Sequence, residues 1–205
     1  IVALYGYPAL IQEQSNANIK NMEKNMLVLQ SDLKSLTFKS VPYQESTIQV
    51  SGGTLIFENP PANPSEYPYF EVNITGSPTK YHLGELRYIT SDGQATVTLE
   101  NGAVHIRYWS SPLGSAMLSP PSWYYDSQTG TYVIQMIRMN ASSYLAQTGI
   151  GVVQMQLSNS NQLPPQDVDS NDYITYKPSF ENHYGVAWSN YLRSPGLMLK
   201  ENSGN

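Results

Sequence analysis

The sequence predicts an α+β protein in which a long N-terminal α-helix packs on an antiparallel β-sheet or β-sandwich. Two observations carry this prediction. Apolar residues recur every three or four positions near the N-terminus, which is the period of an amphipathic helix. After residue 45 the pattern changes to alternating apolar and polar residues, interrupted by glycine-containing turns, which is typical of antiparallel strands.

The predicted helix covers about residues 9–37 within an N-terminal segment, 1–40. Its apolar stripe has spacings of 3, 4, 3, 4 and 3 and consists of Ile19, Met22, Met26, Leu29, Leu33 and Leu36. Such a stripe either packs on the protein's own sheet or contacts a partner helix in an assembly, and the sequence leaves both alternatives open.

The first eleven residues carry no charge, and polar residues begin only at Gln12. Tyr5 and Tyr7 lie just inside this apolar run, and tyrosine rings favour the interface between membrane and water. The pattern indicates the outer end of a truncated or processed membrane or filament helix, whose membrane contact would come from an upstream part. The alternative is that the segment packs on its own domain.

Residues 41–205 are predicted to form one extracellular antiparallel β domain. Successive hairpins are expected around Gly52-Gly53, around the turn at 91–93 and around Asn101-Gly102, the last being the strongest hairpin signal in the chain. Residues 112–125 are expected to be irregular. Other expected elements are strands over 70–74, 132–139, 150–157 and 172–176 and a short helix over 181–192.

The composition excludes several classes of function. Only 13% of the residues are charged, the formal net charge is −5 and cysteine is absent. Disulfide scaffolds, thiol catalysis and cysteine-ligated metals are therefore excluded, and without a basic stripe we expect no nucleic-acid partner. Low charge density combined with 16 tyrosines favours an extracellular location.

No catalytic, cofactor or metal-binding pattern is recognised, so we expect no enzyme activity, cofactor or metal site. Glu85 beside Arg87, or Asp126, could be catalytic, but no sequence feature selects either. Exposed aromatic rings can stack on sugars, which makes Trp109, Trp123 and Tyr124 candidates for glycan binding, but most large aromatics of a β-rich domain lie in the core, and core packing is the favoured interpretation. Asn73 and Asn140 begin Asn-x-Ser/Thr tripeptides and are candidate glycosylation sites.

Four segments in this order resemble archaeal type IV pilin-like surface proteins of methanogens and halophiles. They are residues 25–33, Gly52-Gly53-Thr54-Leu55, Gly84-Glu85-Leu86-Arg87-Tyr88 and Leu99-Glu100-Asn101-Gly102-Ala103-Val104, and the resemblance covers about residues 1–157. It implies a pilin-like fold, a leader removed by a prepilin peptidase, self-assembly through the N-terminal helix and no catalytic residues.

On this resemblance the chain is expected to be a non-enzymatic cell-surface protein. It would be either a pilin-like subunit or a membrane-anchored surface component, located outside the cell and anchored in the full-length protein. The alternative from a different class is an extracellular glycan-binding or adhesive module held by a single helix, with a glycan as its partner.

Overall fold

The structure is a computed structural model that describes residues 2–39, 41–63, 65–143, 145–169, 171–178 and 184–194. It is an α+β fold with an N-terminal helix and a mostly antiparallel β domain. The elements are α1 (Val2–Phe38), β1 (Tyr43–Glu58), β2 (Tyr69–Ile74), β3 (Ser77–Tyr81), β4 (Glu85–Thr90), β5 (Ala95–Glu100), β6 (Ala103–Tyr108), β7 (Ser115–Ser119), β8 (Tyr124–Asp126), β9 (Thr131–Val133), β10 (Leu145–Gln156), β11 (Tyr173–Lys177) and α2 (Gly185–Leu192).

The fold has three layers. A central six-stranded sheet has the order β10-β1-β4-β5-β6-β7, and α1 packs on one of its faces. A three-stranded sheet, β11-β2-β3, covers the other face together with α2. Because β5 lies between these layers, all six of its residues are buried, with apolar side chains toward α1 and Thr96, Thr98 and Glu100 toward the second layer.

The predicted hairpins from β4 to β6 are confirmed. Strands β5 and β6 pair directly from Glu100 and Ala103, so Asn101 and Gly102 form a two-residue turn. Both turn residues have positive φ, 49° and 70°, which is the conformation that Asn-Gly adopts more readily than other dipeptides.

The predicted hairpin around Gly52-Gly53 is wrong, because β1 runs through both glycines as one long strand. Its first half pairs only with β10, and its second half pairs with both β10 and β4, with a register shift between Val50 and Leu55. Instead of forming a turn, the two glycines allow neighbouring segments to pack closely against β1. A Cβ on Gly52 would collide with Asn18 of α1, and a Cβ on Gly53 would collide with the backbone of Ile89.

Other boundaries differ from expectation where long-range pairing decides the conformation. The segment expected to be irregular contains β7 and β8, and the strand expected over 132–139 ends at Val133. Helix α2 begins at Gly185, and residues 181–183 of the expected helix lie outside the described residues. Helix α1 begins well before residue 9 and includes Pro8.

Candidate functional site

Helix α1 has two parts with different surroundings. The six stripe residues from Ile19 to Leu36 are all buried, and the first four pack in the core that α1 forms with the central sheet, which is the first of the two arrangements that the spacing allows. Toward the N-terminus, Tyr7, Leu10 and Ile11 are exposed apolar side chains. Among the described helices, none contains an apolar stretch long enough to cross a membrane.

Described polar side chains from Ser15 onward join the helix to the sheet domain. Ser15 donates a hydrogen bond of 3.4 Å to Asp92, and Asn18 lies against Gly52. Farther along, Asn25 donates to the backbone oxygen of Gln49 at 3.1 Å, and Gln30 donates to the backbone oxygen of Gly102 at 2.6 Å. The whole helix is about 55 Å long. Its described side chains before Ser15 are exposed, and the part from Ser15 onward is held by the domain.

The second buried feature is a pair of glutamates under the three-stranded sheet. Glu85 of β4 and Glu100 of β5 lie directly opposite each other in the antiparallel register, and each is only 3% exposed. Directly opposite residues of an antiparallel pair point to the same face, so the two carboxyl groups share one buried environment. Like charges in this arrangement are unfavourable, which favours a bound proton.

The hydrogen bonds to Glu100 come from the second layer. Trp188 of α2 donates its indole N–H at 2.9 Å, and Tyr176 of β11 donates its hydroxyl at 3.2 Å. Burial raises the pKa of Glu100 from its ordinary 4.5 to about 7, against the lowering effect of these two hydrogen bonds. Burial, reinforced by the charge of Glu100, raises the pKa of Glu85 well above its ordinary value.

One arginine lies among these acids. Arg87 forms an ion pair with Glu58 of β1, and its guanidinium is 3.6 Å from a carboxylate oxygen of Glu85. A small cleft reaches the pair, and its walls are the Glu58–Pro61 segment, Pro68 and Gly84. Glu58 and Glu85 thus share one arginine, and Glu100 lies opposite Glu85, which leaves negative charge that a proton can neutralise.

His105 of β6 belongs to the same layer and is buried among aromatic rings. Its ring lies 5.6 Å from that of Tyr184 and 5.1 Å from that of Trp188. Neither ring nitrogen has a hydrogen-bond partner among the described residues. Burial lowers the pKa of His105 to about 3, so this histidine is a neutral core residue at physiological pH.

The raised pKa values mean that the Glu85–Glu100 pair favours a bound proton, but the pair offers little access to a substrate. Both glutamates are almost fully buried, and the hydrogen bonds to Glu100 come from structural aromatic residues. No group of three or more metal-ligating side chains that could hold an ion occurs within the described part of the chain. The pair is therefore better suited to holding a proton than to acting on a substrate.

The three candidate sugar-stacking residues lie in different settings. Trp123 is in the second hydrophobic core, where it packs against Phe70 and donates its indole N–H to the backbone oxygen of Gln135 at 2.6 Å. Its ring is therefore not open to a sugar, which corrects that assignment. Trp109 is partly exposed, but the Arg107 guanidinium lies over its ring at 4.2 Å, whereas Tyr124 of β8 is exposed.

The two candidate glycosylation sites differ in accessibility. Asn73 is buried in β2, the central strand of the small sheet, and its amide donates to the backbone oxygen of Asn171 at 3.4 Å. The folded domain leaves no room for a glycan there, so the assignment of Asn73 is wrong for the folded state. Asn140 lies exposed outside the strands and stays a candidate.

The glutamate pair is the feature that the sequence reading missed. At the level of sequence, Glu85 is named beside Arg87 and is not connected with Glu100. A signal was nevertheless present in the hairpin. Counting outward from the four-residue connection at 91–94 places residue 85 opposite residue 100. Burial of the pair could not be counted in this way, because it depends on β11 and α2.

The fold defines an α+β domain whose N-terminal helix packs on the central sheet and extends beyond it at the N-terminal end. The chain belongs to a family of unknown function, DUF7289, whose profile matches residues 1–204. No curated protein and no solved structure matches the chain significantly.

Proposed function

We propose that this chain is a non-enzymatic, pilin-like cell-surface subunit of archaeal type. It is held at a membrane or in an assembly through the N-terminal turns of α1, and it displays the β domain outside the cell. The observation that carries the proposal is the division of α1 into a buried half and an exposed, uncharged N-terminal part.

The energetic reason is the exposed apolar surface of the N-terminal turns. Tyr7, Leu10 and Ile11 leave large side chains in water although the helix continues into a well-packed core. Covering such side chains stabilises an assembly by roughly 25 cal/mol for each Å² of apolar surface removed from water. A neighbouring helix or a lipid layer can supply that cover without rearranging the β domain.

The test compares two substitutions on the same helix. Leu10, 61% exposed, lies in the protruding part, and Val28, 52% exposed, lies beside the packed half. We expect Leu10→Lys to reduce self-association or binding to phosphatidylcholine vesicles at least tenfold, whereas the control Val28→Lys leaves both unchanged. Sedimentation velocity and vesicle flotation measure these effects. Equal effects of the two substitutions, or a wild type that neither associates nor binds vesicles, would contradict the proposal.

The alternative proposal is a glycan-binding or adhesive module anchored by a single helix. It is supported by the exposed hairpin of β8 and β9, where Tyr124 is open and the rings of Tyr125 and Tyr132 lie 4.6 Å apart. Loss of glycan-array binding on Tyr124→Ala, with an unchanged melting temperature, would favour this alternative. An array without any bound glycan would count against it.

A further inference from the structure

The edges of the two larger sheets differ in how they are protected. Strand β7 has five residues and lies next to α2, where the Ala187 amide donates to the Ser115 hydroxyl at 3.2 Å. Strand β3 carries Pro78 and Lys80, which are residue types that discourage pairing with another strand. Strand β10 is the opposite edge of the six-stranded sheet.

Strand β10 lacks these protective features. It has twelve residues and contains neither proline nor a charged residue. From Gly149 to Gln156 it follows β1 in continuous register, and none of the described strands pairs with its outer side. The following loop, 157–169, is exposed throughout and does not pack on this edge.

The outer face of β10 is also apolar. Gly151, Val153 and Met155 turn toward α1, where the latter two pack against the core. Ile150 and Val152 turn the other way and are 75% and 53% exposed. An exposed, regular and uncharged edge strand is a template for pairing with another strand.

We propose that the outer edge of β10 pairs with β10 of a second copy of this chain, antiparallel and about a two-fold axis. The two six-stranded sheets then form one continuous sheet of twelve strands. This contact is separate from the helix contact proposed above.

Charge is the reason for choosing a second copy as the partner. Each chain carries a formal net charge of −5, so two copies repel each other unless they meet through a neutral surface. Residues 139–166, which include all of β10, contain no charged residue. A two-fold contact brings the same surface together from both copies, so it requires a surface of this self-compatible kind.

Geometry agrees with the two-fold arrangement. An axis perpendicular to the sheet keeps Ile150 and Val152 of both copies on the same face, where they form one apolar stripe. Pairing over the eight regular residues provides about eight backbone hydrogen bonds, within the range of about 10 ± 5 found in protein interfaces.

The absence of cysteine allows a direct test by cross-linking. Single substitutions Ile150→Cys, Val152→Cys and Gln154→Cys sample the strand, and Val168→Cys is an exposed control in the loop. A two-fold axis brings identical positions together, so we expect a disulfide-linked dimer at the position nearest the axis and declining yield at the others. Yields at all three positions no higher than at the control would overturn the proposal.

A charge substitution tests the same contact in solution. Ile150→Lys adds a positive charge to each copy within the paired stretch, and Val168→Lys makes the same change at a site that is 64% exposed. We expect Ile150→Lys alone to raise the dimer dissociation constant at least tenfold in sedimentation equilibrium, with unchanged near-ultraviolet circular dichroism. A monomeric wild type would overturn the proposal and leave this edge for an extended segment of another protein.

Leu10→Lys separates this inference from the proposed function. If both contacts exist, Leu10→Lys loses association beyond the dimer and vesicle binding but keeps the β10 dimer, whereas Ile150→Lys loses the dimer. The reverse result would overturn the β10 contact and support association through α1.

Discussion

Replacement of Glu100 by glutamine should stabilise the protein at neutral pH, although Glu100 accepts two hydrogen bonds. The folded protein holds the pKa of this carboxyl group at about 7, compared with an ordinary value of 4.5. A raised pKa means that folding favours the protonated acid. The contribution of Glu100 is therefore fully present below pH 4.5 and is lost as the pH rises to about 7.

The magnitude follows from the difference between the two pKa values. At about 1.4 kcal/mol for each tenfold change in the ionisation constant, the loss amounts to about 3 kcal/mol. Glutamine stays neutral and can still accept a hydrogen bond from Trp188. Glu100→Gln should thus become more stable than the wild type by up to about 3 kcal/mol above pH 7, and the advantage should vanish near pH 4.5.

The measurement must be a difference between variant and wild type, because His105 acts in the opposite direction. Its pKa is lowered to about 3, so its contribution is present above its ordinary 6.5 and is lost as the pH falls. Between pH 4.5 and 6.5 the two effects on the wild type oppose each other. Because His105 is present in both proteins, subtracting the free energies of unfolding cancels the part of its contribution that does not depend on Glu100.

Urea unfolding from pH 4.5 to 8.5, followed by the fluorescence of the buried tryptophans, provides these free energies. The exposed control Glu66→Gln should show a difference of less than about 0.5 kcal/mol at every pH. A difference between Glu100→Gln and wild type that stays flat, or that falls as the pH rises, would refute the reasoning. Either result would mean that the folded protein holds Glu100 as a carboxylate without penalty.

Three further predictions concern the packing of α1 and β1. Met26→Ala should lower the free energy of unfolding by about 2–5 kcal/mol in urea denaturation, because this side chain is fully buried and leaves a cavity. Gly53→Ala should cost about 1–3 kcal/mol, since the added methyl group meets the Ile89 carbonyl oxygen and the Tyr88 ring, and a loss below 0.5 kcal/mol would contradict that packing. Removal of residues 1–14 should leave a folded domain with a melting temperature within a few degrees of the full chain in calorimetry, because the described side chains of that segment lie outside the core.

Local patterns were sufficient for the elements whose conformation depends on near neighbours. The stripe from Ile19 to Leu36 predicted the buried face of α1, because a helix repeats its faces within a few residues. The Asn101-Gly102 turn predicted the β5–β6 register, because a two-residue connection leaves few alternatives. The alternation of apolar and polar residues over 86–89 predicted β4, because successive side chains of a strand point to opposite faces.

Local patterns failed where a distant segment determines what a residue does. Gly52 and Gly53 have the composition of a turn, yet β10, β4 and α1 surround them, so the chain continues as a strand and the glycines permit close approach. Trp123 is a residue type that can stack on sugars, but Phe70 and α2 cover its ring. Asn73 has a glycosylation pattern, but two neighbouring strands enclose it.

The sequence by itself thus determined the helix, its buried face, the strongest hairpins and the uncharged segment that includes β10. Periodicity, turn chemistry and charge are properties of residues close together in the chain. Only the tertiary structure decided that Glu85 and Glu100 share a buried site, because Tyr176 and Trp188 reach Glu100 from 76 and 88 residues away. Desolvation depends on which layers meet, and that meeting sets the proton affinity of the pair.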